Sequence, residues 1–187
     1  MPLRPLVESD RLVLRLPESS DVQAIVRFYK RNRDHLQPWS PTFSERIFRS
    51  DYWFDQVISR RAEFEAGLGA RAFIFRKEAP AVVIGNLALN QINRGAAQHC
   101  VLGYSLAEDA QGRGYMVEAV SSAVRFAFVD LRLHRVMAGY MPRNLRSAAV
   151  LRRAGFAVEG YARDYILING RWEDHILTAI TNPDWTA

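Results

Sequence analysis

Apolar and polar positions change period several times along the chain, and each change marks an element. Arg11 to Leu16, RLVLRL, alternates as a strand with one buried face. PESSDVQAIVRFYKRN then places Val22, Ile25, Val26 and Tyr29 at helical spacing, with Ser19 or Ser20 expected as its N-cap. HLQPWSP, with Pro38 and Pro41 around Trp39, breaks that helix. The helical pattern resumes from about Phe48 to Ala66 and stops at GLG, forming a lid or wall. Three strand candidates follow: Arg71 to Arg76, Ala81 to Leu89, and His99 to Leu106, the last two joined through a turn at Asn93-Arg94-Gly95.

From Tyr115, the residues Met116, Val120, Ala123, Val124, Ala127 and Leu131 recur every three or four positions, which predicts a helix of about four turns. Arg135 to Tyr140 reads as a strand. PRNLRSAAVLRRAGF reads as a helix capped by Asn144 and ended by Gly155. Val158 to Ile168 and Trp172 to Ile180 form a closing hairpin turned at Asn169-Gly170. The fold class is mixed, α/β with α+β character: antiparallel strands flank a β-α-β-α core. No repeat, linker or low-complexity tract divides residues 1–187, so a single domain is expected.

Composition narrows the function classes. No apolar run approaches the roughly 18 residues that span a bilayer, and the start lacks a signal-peptide pattern, so the expected location is the cytoplasm, with no membrane partner. Cys100 is the only cysteine, and His35, His99, His134 and His175 lack metal-ligand spacing, so no metal site is expected. The net charge is +5, and of 25 basic residues only Lys30 and Lys77 are lysine. Arginine forks suit phosphates and carboxylates, so the surplus is compatible with a nucleotide cofactor, with RNA or with an acidic partner; a merely solvated basic surface fits equally well.

The chemistry concentrates where the third strand candidate gives way to a helix. In Gln111-Gly112-Arg113-Gly114-Tyr115-Met116, two glycines flank an arginine at a helix mouth. Helix N-termini carry unpartnered N–H groups and the positive end of the dipole, so this stretch suits a pyrophosphate; an ordinary glycine turn is the plain alternative. A P-loop pattern is absent, and Val117 stands where a dinucleotide fingerprint needs its third glycine.

This loop resembles the [QR]-x-x-G-x-[GA] loop of the GNAT N-acetyltransferases, and Asn144, Ser147, Leu151, Gly155 and Phe156 resemble their second signature, an N-x-x-S helix closed by L-x-x-x-G-F. The C-terminal EGYARDYILINGRWEDHILTAITNPDW and the early YKRNRDHLQPW are similar to the members that acetylate the N-terminal alanine of ribosomal proteins. The resemblance implies a mostly antiparallel sheet with a splayed central strand pair flanked by helices, acetyl-coenzyme A as cosubstrate, and transfer to a small-subunit ribosomal protein N-terminus in a ternary complex. Contact with the ribosome or its RNA is a further possibility it raises.

It also implies site residues. The pyrophosphate would lie on Gln111, Gly112, Arg113, Gly114, Tyr115 and Met116. The pantetheine arm would lie against backbone around Tyr104, Ser105 and Leu106 and near Asn144, Ser147 and Leu151. Leu151 occupies the place of the tyrosine that in many relatives protonates the departing thiolate, so that donor is missing, and Met116 stands where the family has a small residue. Ser147 is the expected replacement donor and Asp164 the expected base; alternatively Ser147 only helps a cap, and Asp164 only pairs with Arg163 or Arg171. An α-amine with a pKa near 8 is about one-tenth neutral at pH 7, against less than about a thousandth for lysine, so an N-terminal acceptor asks little of a base. The rivals are a small-amine acetyltransferase for aminoglycosides or polyamines and a ribosome-assembly or RNA-binding protein on the same fold.

Overall fold

A computed structural model of the chain describes residues 5–186. Among the described residues, eight strands form one sheet in the order β1-β2-β3-β4-β5-β6-β8-β7. They are β1 (Val7–Glu8), β2 (Leu12–Arg15), β3 (Ala70–Arg76), β4 (Ala79–Asn93), β5 (His99–Leu106), β6 (Arg135–Tyr140), β7 (Ala157–Ile168) and β8 (Arg171–Thr181). Every pairing is antiparallel except β5 with β6. The helices are α1 (Val22–Arg31), α2 (Arg33–Leu36), α3 (Ser50–Glu65), α4 (Tyr115–Val129) and α5 (Leu145–Arg153).

The two faces of the sheet follow from register. Arg71, Ala88 and Gly103 are direct partners in one row, as are Phe73, Asn86 and Ser105 in the next, so all six share a face. The side chain of Asn86 donates to Tyr29 Oη of α1 at 3.2 Å, which sets α1 on that face; α3 packs there with Trp53 against Phe73. Tyr104 points to the opposite face, where its hydroxyl meets Ser147 of α5. α4 runs across this second face. Its Ala119, Ala123 and Ala127 are buried, and their small side chains let the helix lie close to the strands.

Several expected details shift. Neither Ser19 nor Ser20 caps the first helix: residues Ser19–Asp21 form a 3-10 turn, and the Asp21 carboxylate accepts from Glu18 N at 2.9 Å while pairing with Arg15. A carboxylate that neutralises a half-buried arginine outcompetes a hydroxyl. HLQPWSP does not break into coil, because α2 runs on into a 3-10 turn over Gln37–Trp39; Pro38 fits the start of that turn, where no N–H is required. β4 is longer than expected at both ends, and the turn after it centres on Gly95, whose φ is +66°. The short edge strand β1, paired Val7 to Leu14, carries too few residues to show a period.

Candidate active site

The seam between β5 and β6 opens after three residue pairs. His99, Cys100 and Val101 pair with Arg135, Val136 and Met137, and the ladder ends there. Each strand keeps its other neighbour to its C-terminal end, Leu106 on Gly85 of β4 and Tyr140 on Ile176 of β8. The sheet therefore parts along one line, leaving inward-facing backbone groups of Leu102 to Leu106 without a strand partner on the β6 side. Backbone donors and acceptors in such a place require an extended occupant or water.

At the mouth of this seam lies the loop into α4. Gly112 and Gly114 have φ of +74° and +78°, in the left-handed region where a Cβ is costly. Gly114 is the N-cap of α4, and among the described residues no side chain caps the helix. Its first N–H groups are thus available to an anion, with Arg113 exposed beside them. A set of distant contacts holds the loop. Asn32 Oδ1 accepts from Glu108 N at 3.0 Å, His35 meets the Gln111 side chain at 2.9 Å, and Arg11 donates to the Arg113 carbonyl at 3.0 Å while lying 4.6 Å over the Tyr115 ring. Glu118, in the first turn of α4, binds Ser9 Oγ at 2.7 Å and the backbone and side chain of Arg11. Burial pushes the Glu118 pKa up, and these hydrogen bonds more than reverse it, leaving it below the ordinary carboxylate range.

The expected loop residues therefore divide. Gly112, Arg113 and Gly114 present themselves to solvent, whereas Gln111 directs its amide to His35. Tyr115 and Met116 are buried side chains of the core and can offer a cofactor only their backbone.

Across the seam, α5 begins with Asn144, whose Oδ1 accepts from Ser147 N at 3.0 Å. The capping role is real. Ser147 Oγ lies 2.8 Å from Tyr104 Oη, so β5 and α5 are bridged by two hydroxyls beside the open stretch. Burial, the largest influence, pushes the Tyr104 pKa up to about 12, so the phenol keeps its proton at neutral pH. Ser105 Oγ accepts from Asn86 Nδ2 at 2.8 Å on the other face, and half-buried Leu106 ends β5. Leu151 is only 1 % exposed, its side chain packed in the core beneath α5.

Asp164 is not brought to this cluster. It sits exposed at an irregularity of the outermost strand β7, with φ +45°, and its N–H donates to Asp174 at 2.9 Å. β8 and β6 separate it from β5. Asp174, bonded to Tyr161, belongs to the same outer group. His175 is buried against Gly139, and its Nδ1 donates to the Glu173 carbonyl, 3.0 Å away.

Trp39 and Trp53 behave as wall and core, Trp53 stacking on Tyr29 at 5.2 Å and Trp39 lying under Arg143, while Trp172 is exposed. The 3-10 segment around Trp39 meets the closing hairpin, where Asn169 N donates to the Ser40 carbonyl at 3.0 Å. Between α1, α3 and the sheet, a cavity of about 310 Å³ reaches Gly103, Tyr104 and Ser105. Sequence reasoning missed the side chains of Arg11, Tyr104 and Arg60. Alternation along β5 placed Tyr104 opposite Ser105, but its partner lies 43 residues away.

The chain fits a nucleotide-bearing thioester at the level of its own groups: an uncapped helix start opened by positive-φ glycines, and a seam with unpaired backbone. Among the described residues no helix is long and apolar enough to cross a membrane. A family model described as an acetyltransferase (GNAT) domain matches residues 11–157. The chain is similar to the [ribosomal protein uS5]-alanine N-acetyltransferase of Escherichia coli, 40% identical over 178 residues that cover 95% of this chain and 91% of that one. Among solved structures it is similar to the ribosomal-protein-S5-alanine acetyltransferase of Vibrio fischeri, with TM-score 0.91 and 37% identity over 96% of this chain and 98% of that one. It is also similar to Mycobacterium smegmatis RimJ in complex with CoA-disulfide, with TM-score 0.86 and 28% identity over 94% and 84% of the two chains.

Proposed function

The chain belongs to the GNAT acetyltransferase family, an N-acetyltransferase that uses acetyl-coenzyme A, and we propose that its acceptor is the N-terminal alanine of the small-subunit ribosomal protein uS5. The observation that carries the site assignment is the β5–β6 ladder ending at Val101 and Met137, with the uncapped start of α4 reached by the loop that follows the open end of β5. Similarity to a uS5-alanine acetyltransferase over nearly the whole chain supports the acceptor. Acetyl-coenzyme A supplies an activated acetyl thioester.

Residues of this chain do the rest. The α4 N–H groups and Arg113 hold the diphosphate, and the unpaired edge of β5 orients the extended arm. Ser147 Oγ holds a proton beside the seam, placed to meet charge developing on sulfur, and Tyr104 Oη, 2.8 Å away, replenishes it. No carboxylate is assigned as base. An α-amine near pKa 8 is already partly neutral, so solvent suffices for its proton.

The test is release of free thiol from acetyl-coenzyme A in the presence of Ala-starting peptides, of the same peptides blocked at the α-amine but carrying lysine, and of aminoglycosides or polyamines. Turnover on the free α-amine alone is expected, and its rate should rise with pH up to about 8 and then level, following the amine. Turnover confined to small polyamines, or to lysine, overturns the reading; turnover on none of them favours a binding protein.

A further inference from the structure

The cavity on the α1–α3 face has a cationic wall that the transfer chemistry leaves unused. Arg60 of α3 and Arg71 of β3 both line it, and Gly103 to Ser105 form its edge at the splayed seam. The Arg60 guanidinium lies 5.0 Å from the Trp53 ring and 5.2 Å from the Phe73 ring. Its Nε is buried without a hydrogen-bond partner, and no carboxylate among the described residues lies within ion-pair distance of it. Glu63 Oε2 is 3.0 Å from Arg71 Nε without forming a hydrogen bond, so Arg71 has one imperfectly placed carboxylate and Arg60 has none within ion-pair distance.

Withdrawing an arginine from water without a counter-charge is costly, and burial pushes the Arg60 pKa down from its ordinary value. The other polar neighbours bring no counter-charge, although Tyr29 shares a hydrogen bond with Arg60. Tyr29 is held neutral, its pKa raised by burial, and Asn86 is engaged with Tyr29 and Ser105. A planar fork flanked by aromatic faces is suited to a carboxylate.

Register supplies the spacing. Arg71, Ala88 and Gly103 stand in one row on adjacent strands, so the Arg71 backbone lies about 10 Å from that of Gly103. An extended peptide advances about 3.3 Å per residue, so a chain with its amine at the seam brings its second to fourth side chains to the two arginines. We propose that this cavity is a specificity pocket in which Arg60 and Arg71 bind the carboxylate of an acidic residue at the second to fourth position of the acceptor polypeptide. The assignment rests on the reading of the acceptor as an N-terminal α-amine.

The experiment compares peptides that begin with alanine and carry glutamate or glutamine at position two, three or four. At one of these positions the glutamate peptide should have a kcat/KM at least about 10-fold higher, and the ratio should fall toward one in Arg60→Gln and in Arg71→Gln while Arg60→Lys retains part of it. A ratio near one at all three positions, or a preference that survives both glutamine variants, overturns the proposal. If Arg60→Gln does not fold, the wild type and Arg71→Gln decide alone. If no peptide is acetylated, the acceptor reading falls, and calorimetric titration of the same pairs into coenzyme A-saturated protein still decides the pocket: tighter binding of a glutamate peptide supports it, and equal binding overturns it.

Discussion

α4 and α5 begin just beyond the ends of the two strands that part, and their starts are closed in opposite ways. α5 is satisfied by its own chain: Asn144 Oδ1 takes the Ser147 N–H. α4 is preceded by Gly114 at φ +78° with no side-chain cap. The same backbone physics applies to both, since the first N–H groups of any helix lack intrahelical partners. The contrast marks the helix start that wants an external anion. A helix that brings its own oxygen to its N-terminus has no need of a phosphate, whereas one opened by glycine and flanked by Arg113 and Arg11 does. α5 instead contributes a hydroxyl, Ser147, to the seam.

The sharpest break of this division is Ser147→Ala. If α5 supplies proton transfer and α4 supplies affinity, kcat should fall about 100-fold while cofactor affinity stays within about twofold, as seen in initial-rate kinetics and calorimetry. Equal loss of binding and turnover would move Ser147 into the cofactor site. Next in size, Gly114→Val forces a β-branched residue into the left-handed region, at a cost of about 1–3 kcal/mol. Where the loop yields rather than the whole fold, coenzyme A affinity should drop roughly 10-fold, and Gly114→Asn, which tolerates this backbone better, should lose clearly less.

Asn144→Ala acts on the other start. It should cost about 1 kcal/mol of stability, a fall in melting temperature of about 2–4 °C, through the loss of a cap. The smallest effect concerns Glu118, which anchors Arg11 beneath the α4 loop. A carboxyl whose folded pKa is depressed stabilises above its unfolded value, near 4.3, and loses that contribution as pH falls through the lower folded value. Glu118→Gln should therefore cost less than about 1 kcal/mol at pH 7, and the gap between its melting temperature and that of wild type should begin to close only as pH falls below the unfolded glutamate value, near 4.3.

Much of this frame was legible in residue order. The limits of β5 and β6, the Asn144 cap and the Gly155 stop all come from alternation and punctuation, which are local. The seam was expected only through family resemblance, since no local pattern says that a ladder ends at Val101. What stayed hidden is contact between residues far apart in the chain: Arg11 with Glu118, 107 residues on, and Tyr104 with Ser147. Leu151 and Met116 sat at motif positions yet face the core, because helical phase rather than motif membership decides which side chains reach a site. Asp164 looked available from order alone, but the final sheet order places two strands between it and β5.

The contrast between the two helix starts can be read directly by amide NMR of the protein titrated with coenzyme A and, separately, with phosphate-free pantetheine. The amide shifts that differ between the two ligands should concentrate at Gly112 to Val117 and leave Leu145 to Ser147 nearly alike. Differences centred on the start of α5, or no response at the start of α4, would contradict the assignment of the diphosphate to the glycine-opened helix.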